Sequence, residues 1–139
     1  MITNLKIVFQ NVLSWTVDRR NELSNYYNRT GADVIILNST GIKDTENIKI
    51  FNYNVYQRNF MNELHAGVAI AVKRGIHHQL IDDFADDVLA IRLESTKGPF
   101  IITTLYSPPR RNYLPIGELN RLMDKNIPVY LLGDLNAQH

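Results

Sequence analysis

Apolar positions along this chain gather into short runs parted by polar links, and the spacing of the runs changes partway. "LKIVFQNVL" reads as a buried strand with Ile7, Val8 and Phe9 at its centre. "TVDRRNELSNYYNRTG" then reads as a helix. Thr16 is its candidate N-cap and Asp18 lies in its first turn. Val17, Leu23 and Tyr27 are assigned to its core face, and Gly31 to its C-cap. "ADVIILNST" is a second strand, apolar along nearly its whole length, as suits a strand covered on both faces. Strand, helix, strand with short links predicts a βαβ unit with parallel strands. Further on, "IKIFNYNVYQRN", "AGVAIAVKR", "DVLAIRLES" and "PFIITTLYS" are short strands between Asn-, Gly- or Asp-rich links. That spacing predicts a mainly antiparallel meander. "LPIGELNRLMDKN" reads as a short helix with Ile116, Leu119 and Leu122 inward, and "IPVYLLGDL" as the last buried strand.

Composition adds exclusions. The chain has 139 residues, 45% of them hydrophobic and 21% charged, which fits one globular unit over 1–139. No run approaches the roughly 18 apolar residues of a membrane span. The N-terminus alternates like a strand and lacks the pattern of a signal peptide. With no cysteine, disulfides and thiolate metal sites are excluded. A net charge of +1 is not the footprint of a protein that holds nucleic acid by charge alone. These features suggest an intracellular protein.

Candidate chemistry sits where the apolar runs end. Asn11 ends the first strand, Ser39 the second, Tyr106 the stretch "ITTLY", and Asp134 and Asn136 the last. Strand ends are where layered α/β folds usually assemble sites. Phosphodiester cleavage needs a divalent metal on hard oxygens, a group that orients water, and donors for phosphate oxygens. Asp134 suits water activation, Asn136 the phosphate or that Asp, Tyr106 the phosphate, and Asn11 a metal-bound water. Each also has a plainer reading: Asn11 as a turn, Tyr106 as a rim aromatic, Gly133-Asp134 as a tight bend. His65, His77 and His78 share no metal-ligand spacing and read as surface residues. The basic pairs Arg19 with Arg20, Lys73 with Arg74, and Arg110 with Arg111 read as solvated faces. They become candidate substrate contacts if they cluster beside the strand ends.

The order of these pieces, "KIVFQN", "ADVIILNST", "YNVYQRN", "AGVAIAVKR", "LYSPP" and "IPVYLLGDLNAQH", resembles the endonuclease/exonuclease/phosphatase superfamily. Within it the chain looks most like the endonuclease domain of non-LTR retrotransposons. The resemblance implies a four-layer α/β sandwich of mixed sheets flanked by helices, present here in truncated form. It implies nicking of DNA with Mg2+, or Mn2+ in its place. By motif position it makes Asn11 a metal-site residue, Tyr106 the catalytic tyrosine, Asp134 the orienter of the attacking water and Asn136 the holder of the phosphate. Arg110 and Arg111 become candidate DNA contacts. A protein acting on genomic DNA would work in the nucleus.

Three departures shape the expectations. The family's metal-binding Glu falls at Ser39, a neutral hydroxyl. The Trp before the first Asn is Gln10. The family's domain also continues well past "GDLNAQH", so the chain is expected to hold an N-terminal part only, as a fragment or a stand-alone relative. Alone it is expected to bind Mg2+ weakly and to leave DNA uncut. A non-catalytic binding module and, behind it, a phosphatase are the competing readings. The apolar strands "VIILN", "FIITTLY" and "PVYLLG" are further expected to leave one sheet face open, which would drive self-association or binding of a protein partner.

Overall fold

Residues 34 to 38 are uncharged and mostly β-branched or aliphatic, and all five are buried. That is stable only inside a layered fold. The computed structural model describes residues 4–12, 14–42, 46–59, 66–81, 88–105 and 126–133. In chain order its elements are β1 (Ile7–Asn11), α1 (Val17–Thr30), β2 (Val34–Asn38), β3 (Tyr53–Arg58), β4 (Val68–Lys73), β5 (His78–Ile81), β6 (Val88–Ser95), β7 (Gly98–Leu105) and β8 (Val129–Leu131). They form two four-stranded sheets, ordered β1-β2-β4-β3 and β5-β6-β7-β8. β1 runs parallel to β2 through the α1 crossover, and β7 runs parallel to β8. The other pairings are antiparallel. Both sheets are therefore mixed, as the resemblance implied.

The two sheets pack face to face. Val34, Ile36, Val68, Ile70 and Val72 of the first meet Leu89, Ile91, Leu93 and Ile102 of the second. The alternate residues of β2 and β4 point the other way. Ile35, Leu37, Ala69 and Ala71 pack with Trp15 and with Leu23 and Tyr27 of α1. On the far side of the second sheet Val88, Ala90, Ile101 and Leu105 form a third buried cluster. This corrects the expectation of an open sheet face for "VIILN" and "FIITTLY"; the last strand, read from the sequence as buried, instead leaves Tyr130 54% and Leu131 37% exposed. β2 is buried on both sides, and so is the second half of β7. The strands carry little polar alternation because each sheet covers the other.

Four further expectations change. The first strand is not buried as expected: among the described residues β1 lies at a sheet edge, and Ile7 and Phe9 are exposed. α1 buries Leu23 and Tyr27, but Val17 is 66% exposed. Positions 23 and 27 are four apart and share a helical face, whereas 17 and 23 do not. Thr16 sits at the N-cap in an extended conformation, but its side chain makes no capping hydrogen bond. Gly31 ends the helix with φ 69°, as a left-handed C-cap should. β5 has no counterpart among the sequence-derived strands, since "HQLI" is short and half polar. The predicted helix with Ile116, Leu119 and Leu122 lies outside the described residues.

Tyr27 ties α1 to β1. Its hydroxyl donates to Gln10 Oε1, so the polar residue at the family's Trp position has a partner on the helix. Burial pushes the Tyr27 pKa up from 10.0 to about 12, against the opposing pull of Arg19. The folded chain thus holds this proton more tightly than the unfolded chain does. Stability is expected to be intact below pH 10 and to fall as pH rises towards 12. Urea midpoints across this range check it. Tyr27→Phe should start less stable, having lost the hydrogen bond, and should flatten this alkaline step.

Candidate functional site at the strand ends

Parallel register puts the ends of β1 and β2 side by side, with Asn11 the partner of Asn38. Beyond them the two chains stay joined. Val12 N donates to Asn38 O at 3.0 Å, Ser14 N to Ser39 O at 2.7 Å and Trp15 N to Thr40 O at 2.6 Å. Arg19 braces this turn from α1 by donating to the Val12 carbonyl. One of the basic residues read as solvated therefore holds the loop that follows Asn11.

The loop after β2 is sharply bent. Ser39 has φ 59°, in the left-handed region that non-glycine residues rarely adopt. Gly41 and Gly67 also have positive φ. Thr40 N donates to Gly67 O at 3.2 Å and Gly41 N to Ala66 O at 2.8 Å, so the loop is stitched to the chain entering β4. Thr40 is fully buried, and its Oγ1 has no hydrogen-bond partner among the described residues.

The second sheet arrives at the same place. Thr104 Oγ1 donates to Asn38 Oδ1 at 3.3 Å, linking the sheets through two buried polar side chains. Gly133 closes in from the end of β8. A Cβ on it would stand 3.1 Å from Thr104 Oγ1, 3.3 Å from Asn38 Nδ2 and 3.6 Å from the Leu105 carbonyl oxygen. Leu105 directly precedes Tyr106, and Gly133 directly precedes Asp134. Four strand ends therefore converge on Asn38.

Of the sequence-derived candidates, Asn11 ends β1 and is exposed, and Ser39 follows β2. Tyr106, Arg110, Arg111, Asp134 and Asn136 lie outside the described residues. Sequence reasoning missed Asn38 and Thr104. The available signal was polar residues closing two apolar runs, Asn38 after "VIIL" and Thr103-Thr104 after "FII". His78 is no ligand candidate. Its Nδ1 lies 2.8 Å from the Ile76 carbonyl and its Nε2 2.7 Å from the Tyr56 hydroxyl. No group of three His, Cys, Asp or Glu residues that could hold a metal occurs among the described residues. The described side chains here are the amides of Asn11 and Asn38 and the hydroxyls of Ser39, Thr40 and Thr104, all neutral. Magnesium prefers carboxylate and water oxygens, so this donor set does not fit it. No described helix is long and apolar enough to cross a membrane.

No protein-family profile matches the sequence. A probable RNA-directed DNA polymerase from the transposon X-element of Drosophila melanogaster is 26% identical over 137 residues, spanning 92% of this chain and 15% of that protein. Among solved structures, the endonuclease domain of TRAS1, a telomere-specific non-LTR retrotransposon, superposes with a TM-score of 0.72 at 14% identity and 98% coverage of this chain. The catalytic domain of Xenopus laevis APE2 gives 0.62 at 16% identity and 97% coverage. An AP endonuclease from Archaeoglobus fulgidus gives 0.62 at 17% identity and 96% coverage. The chain spans 61%, 59% and 58% of those three structures. Two mixed sheets packed face to face, with their strand ends gathered at Asn38, give this chain the endonuclease/exonuclease/phosphatase fold of the retrotransposon and AP endonucleases over that shared part.

Proposed function

We propose that this chain is the N-terminal part of a retrotransposon-type DNA endonuclease domain, with a phosphodiester-binding site at the convergent strand ends. The observation that carries the reading is the approach of Gly133 and the Leu105 carbonyl to Asn38. It sets the backbone next to Asp134 and Tyr106 against the same buried amide. In this reading Asp134 orients a water, Asn136 and Tyr106 donate to phosphate oxygens, and Asn11 lines the floor beside Asn38. Arg110 and Arg111 contact the DNA backbone.

The reading stops short of catalysis. Hydrolysis of a phosphodiester develops negative charge that a preorganised site must stabilise, and this is commonly the largest catalytic term. Among the described residues the donors are neutral amides and hydroxyls, which supply hydrogen bonds but no charge, and Ser39 puts a neutral hydroxyl where the resemblance expects the metal-binding carboxylate. A site of this kind holds DNA without cutting it. As it stands, the 139-residue chain is a DNA-binding relative of the nucleases.

The test is supercoiled plasmid incubated with the purified chain in magnesium or manganese. No nicking is expected. Titration calorimetry should show weak magnesium binding, and Ser39→Glu should strengthen it at least about tenfold by adding a hard anionic oxygen. A nicking rate that Asp134→Ala abolishes, or tight magnesium binding in the parent chain, would overturn the reading.

A further inference from the structure

One aromatic ring among the described residues belongs to no buried cluster and stands almost wholly in solvent. The stretch 46–51 runs beside α1 with alternating burial. Ile48 and Ile50 turn inward, into the same cluster as Leu23 and Tyr27, while Asn47, Lys49 and Phe51 turn outward. Phe51 is 82% exposed, more than any other large hydrophobic residue described. Its backbone is nonetheless fixed. Asn28 Nδ2 donates to the Phe51 carbonyl at 3.1 Å, and Tyr53 N donates to Ile50 O at 3.1 Å. The next residue, Asn52, has φ 74°, and its carbonyl accepts from Arg74 N at 2.9 Å. The turn therefore holds the ring in place and brings Arg74, just past β4, beside it.

Two grooves meet at Phe51. One, of about 620 Å³, lies between α1 and the 46–51 stretch and runs from Trp15 and Arg20 to Lys49 and Phe51. The other, of about 530 Å³, continues past the ring to Asn52, Asn54 and Arg74. On the helix side Asn21, Ser24 and Asn28 fall at i, i+3 and i+7, one polar face. A further protein layer would have to pair each of those polar groups on covering them. Charge along the grooves is lopsided. Arg20, Lys49 and Arg74 line them against one carboxylate, Glu46, which lies 4.0 Å from Arg20. Lys49 and Arg74 form no ion pair among the described residues. On the flank Glu22 and Arg29 offset each other. The chain's net charge of +1 conceals this local excess.

We propose that these grooves bind single-stranded DNA, with an unpaired base stacked on Phe51 and the phosphates drawn to Arg20, Lys49 and Arg74. A fixed, exposed ring flanked by cations is the combination that holds a single strand without reading its sequence. A duplex keeps its base faces stacked inside and offers none to Phe51. The asparagine amides donate and accept, so they suit base edges and phosphate oxygens alike. The groove begins at Trp15, whose N–H is bonded to Thr40 O beside the convergent strand ends. A strand parted from a duplex there has a path along α1. The choice of DNA over RNA rests on the reading proposed for the strand ends; the stacking and the charge do not depend on it.

Fluorescence anisotropy of a labelled oligothymidine about eight nucleotides long, at low salt, tests it. The parent chain is expected to bind with Kd on the order of 10 μM, within the range of sequence-independent binding. Phe51→Ala should weaken binding at least about fivefold, and Phe51→Trp should keep it, because only the face of the ring is used. Lys49→Ala combined with Arg74→Ala should reduce the log–log salt slope by about 1.4. Tyr130→Ala, at a 54% exposed aromatic on the second sheet, should change nothing. Circular dichroism checks that each variant keeps the parental fold. A parent chain that does not bind, equal binding by Phe51→Ala, an equal loss in Tyr130→Ala, or tighter binding of oligouridine than of oligothymidine would overturn the proposal. Duplex binding measured alongside separates the two sites. Duplex binding without single-strand binding sinks this inference alone, and a Phe51-dependent single-strand affinity without duplex binding upholds it and sinks the strand-end reading.

Discussion

Gly67→Ala is expected to destabilise the fold by about 2–5 kcal/mol. Gly67 has φ 110°, a region L-residues rarely enter. That share of the loss is about 1–2 kcal/mol. An added Cβ would also stand 2.3 Å from Thr40 Oγ1 and 3.4 Å from the Arg58 carbonyl oxygen. Thr40 cannot move aside easily. It is fully buried, its N–H donates to Gly67 O, and its carbonyl accepts from Trp15 N. Relieving the clash therefore means shifting the bend that carries Ser39, at the usual overpacking cost of about 1–3 kcal/mol. Against a typical stability of about 5–15 kcal/mol, the sum is large.

Urea unfolding measures it, and a double mutant separates the two terms. Thr40→Ala removes the hydroxyl that the new Cβ would meet. Combined with Gly67→Ala it should recover the overpacking share and leave the backbone share. Additive losses would mean that the clash is relieved elsewhere and that Thr40 is not the wall against which Gly67 packs.

The layering of this fold was legible because burial on both faces favours long apolar runs, as in "VIIL", "VAIAV", "VLAI" and "FII". β2, β4, β6 and β7 could hardly be read otherwise. The parallel β1–α1–β2 unit was legible from its length, its Gly31 cap and the Leu23–Tyr27 spacing. Edge position was not. "IVFQN" and "VIILN" look alike to a reader counting apolar residues, yet the first is an edge and the second is central. What separates them is which other segments pair with them, and that is a non-local property. For β2 and β7 the expectation of an open sheet face failed for the same reason, though Tyr130 and Leu131 of β8 are exposed. It treated each strand as needing a cover from elsewhere, when the second sheet was already that cover. At the site, Asn11 and Ser39 were named from their place at strand ends. Asn38 was passed over because an Asn after "VIIL" reads equally well as the start of a turn, and only its meeting with Thr104, 66 residues away, gives it a role.

Asn38→Asp is expected to make the fold pH-sensitive. Asn38 is 3% exposed and accepts the Thr104 hydroxyl, while its Nδ2 side faces Gly133. A carboxylate there loses its water and meets no described cation, so burial must hold its pKa above the ordinary value of about 3.9. The sign follows from proton binding. Below about pH 4 the carboxyl is protonated whether the chain is folded or not, and the variant should lie close to the parent. As pH rises, the unfolded chain releases the proton first, and the variant loses about 1.4 kcal/mol per unit until the folded carboxyl also ionises. A group that stays protonated to pH 7 would thus cost about 4 kcal/mol there. Denaturant midpoints of parent and variant between pH 4 and 7 give the difference directly. The same variant probes the site chemistry. If the strand ends lack only negative oxygen for a cation, magnesium should restore part of the loss at pH 7, by about 2.7 kcal/mol at a hundred times its Kd. A deficit of equal size at pH 4 and pH 7, unmoved by magnesium, would show instead that the fold needs the Asn38 amide as a donor, and that neutrality at the convergent strand ends is not what Asn38 supplies.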